Sequence, residues 1–300
     1  MEILRTPDER FENLQDYEFT PHYTTIKDKD GTDIRIHHVD EGNPEEKPIL
    51  MMHGNPTWSY LHRHMIKPLA ATGHRVISVD LVGLGRSDKP ASREDYSLAR
   101  HYDWMSKWLL TNDLTDITWF GQDWGGSIGL YLLAEYPERF KRAIAANTGL
   151  PLGQGASDFF QMWLSMMKDA SEFPWDKIFK PSFAEPISEE SLKGYMAPFP
   201  NKDYEAGICS FPSLIPVLPD NPGVPLNKTA WKKLLSFEKP FLTLFGGRDP
   251  VTKGHEKILI KNIPGAAGQA HKINETASHF IQDDAPEFLV EEISKFLNES

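Results

Sequence analysis

The chain has 300 residues, with 32 basic against 43 acidic side chains for a net charge of −11, and its 40% hydrophobic and 25% charged content is globular, neither disordered nor fibrous. A chain of this length fits one or two domains, and burying about three quarters of its unfolded surface gives it a substantial core. The acid excess, without any cluster of Lys, Arg and aromatics, argues against nucleic acid. Cys209 is the single cysteine, which rules out an internal disulfide, a Cys-rich zinc site or a cluster, and no run of about 18 apolar residues suits a membrane span.

The opening stretch, MEILRTPDERFENLQDYEF, lacks the basic start and apolar run of a signal peptide, so a cytoplasmic location is expected. Short apolar runs then alternate with segments of helical period. Residues 48–52 (PILMM), 74–79 (HRVISV), 116–120 (DITWF), 142–147 (RAIAAN) and 240–245 (PFLTLF) read as buried strands, each ending near Gly, Asp or Asn. Residues 58–71, 99–110 and 126–136 read as helices, the last stopping at Pro137. Strand, helix and strand in repetition predict an α/β fold, a mostly parallel sheet covered on both faces. The alternation lapses between about Gly149 and Gly223, where helical stretches are broken by Pro-rich turns. This predicts a sheet domain in two parts, 1–148 and 224–300, with a helical cap over 149–223. Residues 287–298 close the chain as an amphipathic helix.

The strongest chemical signal is Gly121-Gln122-Asp123-Trp124-Gly125-Gly126, directly after a predicted strand and directly before a helix. That is the setting of a nucleophile elbow, in which small residues flank a sharp turn that pushes the nucleophile out at the carboxyl end of the sheet, here with Asp123 in place of the usual Ser. The plainer alternative is a Gly-rich turn with an N-capping Asp. Two further pieces favour the elbow: Asp249 follows a late strand in Phe245-Gly246-Gly247-Arg248-Asp249, and His279 precedes the final helix, so nucleophile, acid and base appear in the order Asp123, Asp249, His279. At the end of the first central strand, His53-Gly54-Asn55-Pro56 supplies a backbone N–H at Asn55 to pair with that of Trp124 as an oxyanion hole. His53 itself reads as structural.

Taken together, HGNPTWSY, DLVGLGRSDKP, QDWGGSIGL, FGGRDP and SHFIQDDAP resemble the haloalkane dehalogenases of the α/β-hydrolase superfamily. The likeness runs from RTPDERFENL through APFP and Tyr204 to the last helix. It implies that Asp123 is the nucleophile, His279 the base and Asp249 its partner, and that Trp124 binds halide. It also implies a small halogenated alkane as substrate, halide as product, and no metal or organic cofactor; a monomer is the default expectation. A second halide donor is expected, and there are two candidates. Trp163 matches the lid tryptophan of one branch and is preferred, because the N-terminus and lid resemble that branch. Asn55 matches the donor of the other branches and departs from the Glu common in the first. Trp175 is a weaker choice.

The chemistry explains why a carboxylate stands where a hydroxyl is usual. Displacing halide from saturated carbon leaves the nucleophile bonded to an alkyl group. A Ser ether would be a dead end, whereas an Asp ester has a carbonyl that water can attack. A departing halide also needs donors in an apolar site, and an indole N–H is a donor with no acceptor on its ring. Phe159, Phe160, Phe173 and Phe179 would suit a pocket for an uncharged alkyl chain and could equally form the core of the lid. The nearest rival is an epoxide hydrolase, which shares the Asp nucleophile but needs acids, for which Tyr195 and Tyr204 are available. A non-catalytic receptor of the same fold is the other alternative; the filled positions at Asp123, Asp249 and His279 argue against it.

Overall fold

The computed structural model describes residues 1–155, 158–168, 170 and 172–299. Its centre is an eight-stranded sheet of β1 (His22–Lys27), β2 (Asp33–Glu41), β3 (Pro48–Met52), β4 (Arg75–Val79), β5 (Ile117–Gln122), β6 (Phe140–Ala146), β7 (Phe241–Gly246) and β8 (Lys272–Asn274). The spatial order is β1-β2-β4-β3-β5-β6-β7-β8. The β1–β2 and β2–β4 pairings are antiparallel, and the rest are parallel.

Every residue of β3, β5 and β7 is buried, which is why each reads as an unbroken apolar run instead of an alternating one. The predicted strand 48–52 coincides with β3 at both ends, and the other four fall on β4 to β7 with shifted ends. The shift in β5 matters, because the strand continues through Gly121 and Gln122 and delivers the chain straight into Asp123. Two strands were not anticipated at the amino end. β1 and β2 carry many polar residues because β1 lies at the sheet edge with mostly open side chains. Their join at Asp30-Gly31, with Gly31 at φ +87°, is a turn signal the apolar-run criterion passes over. β8 is three residues long and mostly exposed.

The helices flanking the sheet are α1 (Arg63–Ala71), α2 (Leu98–Thr111), whose Ser97 cap accepts from the N–H of Arg100, and α3 (Asp123–Glu135). Between β6 and β7 the described residues contain no strand. The chain there forms α4 (Asp158–Lys168), a π-helical turn (Trp175–Phe179), α5 (Glu189–Met196), α6 (Ala206–Leu214) and α7 (Val224–Leu234). α7 packs back against α3. α8 (His255–Asn262), α9 (Ile281–Asp284) and α10 (Pro286–Glu299) complete the chain.

Specific bonds seat the helical segment on the carboxyl edge of the sheet. Just past β3, Asn55 Nδ2 donates to the Ile208 carbonyl of α6 at 3.3 Å. Asp283 in α9 accepts from Arg63 at 2.7 Å and from the Tyr195 hydroxyl of α5 at 2.7 Å, a partly buried tie between sheet domain and helices. β3 connects onward to β4 on one side while β5 lies on its other side, and such a reversal opens a crevice at the carboxyl ends of the strands.

Candidate active site

The crevice is furnished by the ends of β3, β5, β6 and β7. Asp123 follows β5 with φ of +51°, a left-handed conformation that costs a non-glycine residue about 1–3 kcal/mol and persists only where its surroundings hold it. Here they do. Its N–H donates to the Asn147 carbonyl at 3.0 Å, and its own carbonyl accepts from Thr148 Oγ1 at 2.8 Å. The close approach of β3 to this turn requires two glycines. A Cβ on Gly125 would run into the backbone carbonyls of Met52 and His53, and one on Gly54 into the Asp123 carboxylate. The backbone N–H of Asn55 then reaches Asp123 Oδ1 at 2.9 Å.

His279 sits before α9. Its N–H donates to the Ser182 carbonyl at 3.1 Å, and its carbonyl accepts from Gln122 Nε2 at 3.0 Å and Asn147 Nδ2 at 2.9 Å. Nδ1 lies 3.0 Å from Asp249 Oδ1, and Nε2 lies 3.6 Å from Asp123 Oδ2. Asp249 is fully buried, and its carboxylate also accepts from the N–H groups of Val251 at 2.8 Å and Thr252 at 3.2 Å and from the Thr252 hydroxyl. An ionised carboxylate only accepts, so Nδ1 of His279 carries a proton and Nε2 faces Asp123. The structure thus brings Asp123, His279 and Asp249 together in one line.

Burial opposes charge on His279, but the carboxylates of Asp249 and Asp123 outweigh it and push the imidazole up to about 10. Burial would raise Asp249, but the imidazole and its hydrogen bonds dominate and lower it. The raised imidazole makes a stability prediction. Above about pH 6.5 an unfolded His has lost its proton while the folded one keeps it, so the stabilisation is complete below pH 6.5 and disappears as pH rises through 10. Urea melts of the native chain and of His279→Gln should therefore converge between pH 6.5 and 10. A gap that widens with pH would contradict the ionic arrangement.

Four residues that the sequence left unassigned brace this line. Gln122 Nε2 is 3.2 Å from the Nε2 of His279. Asn147 spans β6, β7 and the His279 loop, donating to the carbonyls of Ser278 and His279 and accepting from the Gly246 N–H. Thr148 holds the elbow and Thr252 holds Asp249. Only Gln122 had a signal, its place inside the elbow motif. His53 is committed, with Nδ1 bonded to the Gly54 carbonyl at 2.8 Å and Nε2 accepting from the Leu81 N–H at 3.0 Å.

Indole N–H groups separate the tryptophans. Those of Trp58, Trp104, Trp175 and Trp231 donate to Gly194, Asp28, Glu205 and Leu150 respectively. Those of Trp108, Trp119, Trp124 and Trp163 are buried without a hydrogen-bond partner. Trp108 packs on His38 and Trp119 on Gly129, both in the core. Trp124 follows Asp123 directly, and Trp163 lies in α4. Trp175 has its donor engaged, unlike a free anion donor. Asn55 already gives an amide hydrogen to Ile208, while its Oδ1 has no partner.

A cavity of about 710 Å³ opens from Asp123 toward α7 and α8. Phe160 lines it, as the sequence suggested. Phe173 and Phe179 do not, because they pack into an aromatic cluster with Trp175, Phe183, Tyr195 and Phe280. The side chain of Phe159 lies outside the described residues. Tyr195 is fully buried with its hydroxyl on Asp283, which leaves no acid for an epoxide oxygen there, and Tyr204 is half-buried. Among the described residues no three His, Cys, Asp or Glu side chains converge as a metal site would require, and no helix is long and apolar enough to cross a membrane.

The chain as a whole is similar to known proteins. A family described as alpha/beta hydrolase fold matches residues 47–179. The haloalkane dehalogenase of Psychrobacter cryohalolentis is 45% identical, with 100% of this chain and 99% of that one covered. That of Mycolicibacterium paratuberculosis is 47% identical, covering 98% and 97%. Among solved structures, the tetrameric haloalkane dehalogenase DpaA from Paraglaciecola agarilytica NO2 superposes with a TM-score of 0.90 at 30% identity, covering 100% of this chain and 99% of that one.

Proposed function

Because the chain belongs to the haloalkane dehalogenase family, whose members hydrolyse carbon–halogen bonds, we propose that Asp123 carries the alkyl group of the substrate between the two steps of that reaction. Asp123 Oδ2, the oxygen not held by the Asn55 N–H, attacks the halogen-bearing carbon from the side opposite the leaving group. A carbon–oxygen bond forms as the carbon–halogen bond breaks, and the electron pair leaves with the halide toward the indole N–H groups of Trp124 and Trp163. The alkyl ester that results has lost the negative charge of Asp123. One of the two carboxylates raising the proton affinity of His279 is then gone, so the imidazole releases its proton to solvent, the one proton of the net reaction, and becomes the base just when water must be activated.

His279 then takes a proton from water, whose oxygen adds to the ester carbonyl. The developing oxyanion is held by the N–H groups of Asn55 and Trp124, the latter among the first-turn amides of α3, which have no partner inside the helix. Collapse breaks the ester carbon–oxygen bond and releases a primary alcohol that carries the other hydrogen of the water, restoring the carboxylate beside the protonated imidazole. Asp249 orients the imidazole throughout. The observation that carries this reading is Asp123 itself, a left-handed carboxylate between a backbone donor at 2.9 Å and an imidazole at 3.6 Å.

Residues 149–223 serve in this reading as the cap that excludes water from the displacement step. A functional monomer is part of this reading, although the Paraglaciecola neighbour is a tetramer. The acidic, cysteine-poor composition supports a cytoplasmic setting. Incubation with 1,2-dibromoethane and, separately, with styrene oxide tests the reading. Bromide and protons should appear with the first, and no diol with the second. Diol without bromide release would overturn it.

A further inference from the structure

The stretch of chain that carries His279 is bonded on two sides. From the sheet domain, Asn147 Nδ2 donates to the carbonyls of Ser278 and His279, and Gln122 Nε2 donates to that of His279. From the helical segment, the Ser182 carbonyl accepts the His279 N–H, and the rings of Phe179 and Phe183 pack on Phe280 at centroid distances of 5.1 and 4.8 Å. The buried Ser278 sits one residue before the base, and its N–H is met by a side chain and not by a carbonyl.

That side chain is Asp284. Its Oδ2 accepts from the Ser278 N–H at 2.7 Å, which closes a loop of chain around His279, and its Oδ1 accepts from the Ala184 N–H at 3.0 Å. Ala184 lies 100 residues earlier, just past Ser182 in the helical segment. Two N–H groups from separate parts of the fold need two acceptor oxygens on one side chain, which a carboxylate has and an amide lacks. The neighbouring Asp283 is turned to Arg63 and Tyr195, so the two consecutive carboxylates hold different partners. With the imidazole Nε2 only 3.6 Å from Asp123 there is little slack, and a misplacement of about 1 Å costs about 10²-fold in rate.

We propose that Asp284 is a positioning residue for the second half of the reaction: its carboxylate straps the backbone in front of His279 to Ala184, so that the imidazole is aimed at the ester only while residues 149–223 are seated on the sheet. The inference rests on the reading of Asp123 as the alkyl acceptor and of residues 149–223 as the cap. One side chain thereby links the exclusion of water from the displacement to the placement of the base that later activates water. The displacement itself uses no base, so only ester hydrolysis depends on the strap. The ratio kcat/KM covers the steps up to halide departure and is indifferent to Asp284, whereas kcat falls with slowed hydrolysis and KM falls with it.

Rapid-quench bromide release from 1,2-dibromoethane, with the mass of the Asp123 peptide, provides the test. Asp284→Ala should release one equivalent of bromide in a burst and then turn over about 10- to 100-fold more slowly than the native chain, with KM lowered in step and kcat/KM kept within about threefold. The alkyl ester should accumulate on Asp123 meanwhile. Asp284→Asn, which keeps the size and one acceptor oxygen, should recover part of kcat, and it carries the comparison should Asp284→Ala fail to fold. Thr6→Val removes a bond to the Pro198 carbonyl and so loosens the helical segment away from His279; it should accumulate no ester. Ester in Thr6→Val to the extent seen in Asp284→Ala, a fall of kcat/KM equal to that of kcat, or native kinetics in both Asp284 variants would each overturn the strap. Failure of His279→Phe to retain an alkyl group would instead overturn the reading of Asp123 on which the strap depends.

Discussion

His279→Phe is expected to release one equivalent of halide per chain and then stall, with the alkyl group left on Asp123. The first displacement asks nothing of the imidazole except space, and Phe keeps a ring of similar size between Asp249 and the cavity. The second step asks for a base, and none of the groups bonded to His279 can replace it: Asp249 lies on the far side of the ring, and Gln122 offers only an amide. General-base catalysis is worth about 10²–10⁴-fold, so steady turnover should fall by at least that range. The peptide containing Asp123 should gain the mass of the alkyl group less one proton, and the modification should persist for hours. Halide release with an unmodified peptide would mean that water attacks the substrate directly, and the ester scheme would be abandoned. Removal of the imidazole leaves Asp249 with its Val251 and Thr252 donors, so the variant keeps a partly satisfied carboxylate and folds well enough to be assayed.

The residues proposed to perform chemistry stood out because each stands at a point where the sequence changes period. Asp123 follows a fully buried run and opens a helix, and the glycines around it answer to the backbone of β3 pressing on the turn. Asp249 and His279 were legible by order along the chain. Asn147 was not, because its work lies in contacts between strand ends far apart in sequence: it binds Gly246 and His279, 99 and 132 residues away. An Asn at the end of a strand looks like any turn former until the neighbouring strands are in place. The lining of the cavity shows the same limit. Phe160, Phe173 and Phe179 are equivalent as letters, and only the packing of Phe179 between Trp175 and Phe280 separates an aromatic cluster from a substrate wall. The amino-terminal hairpin failed for another reason. As an edge pair it keeps one open face, and its alternation of polar and apolar residues is weaker than the runs that mark the buried strands.

The proposed halide site gives the second large effect. A halide ion forming in a dry site needs charge-assisted hydrogen bonds, worth about 1.5–3 kcal/mol each. Trp124→Phe should therefore weaken bromide binding by about 10- to 150-fold, and Trp163→Phe by a comparable factor, read from quenching of the remaining indole fluorescence. Both indole N–H groups are buried and unpartnered, so neither gives up an internal bond when the ion arrives. The Asn55 amide, by contrast, already donates to Ile208. Asn55→Ala keeps the backbone N–H that reaches Asp123, so it should leave ester formation intact and change bromide affinity by less than about fivefold, the loss of one weak neutral contact. If Asn55→Ala instead costs more than Trp163→Phe, the ion lies toward α6 and the assignment to Trp163 is wrong. A double-mutant cycle sharpens the distinction. Two donors sharing one ion lose less together than the sum of their separate losses, whereas a Trp163 that merely packs on Phe160 is additive with Trp124.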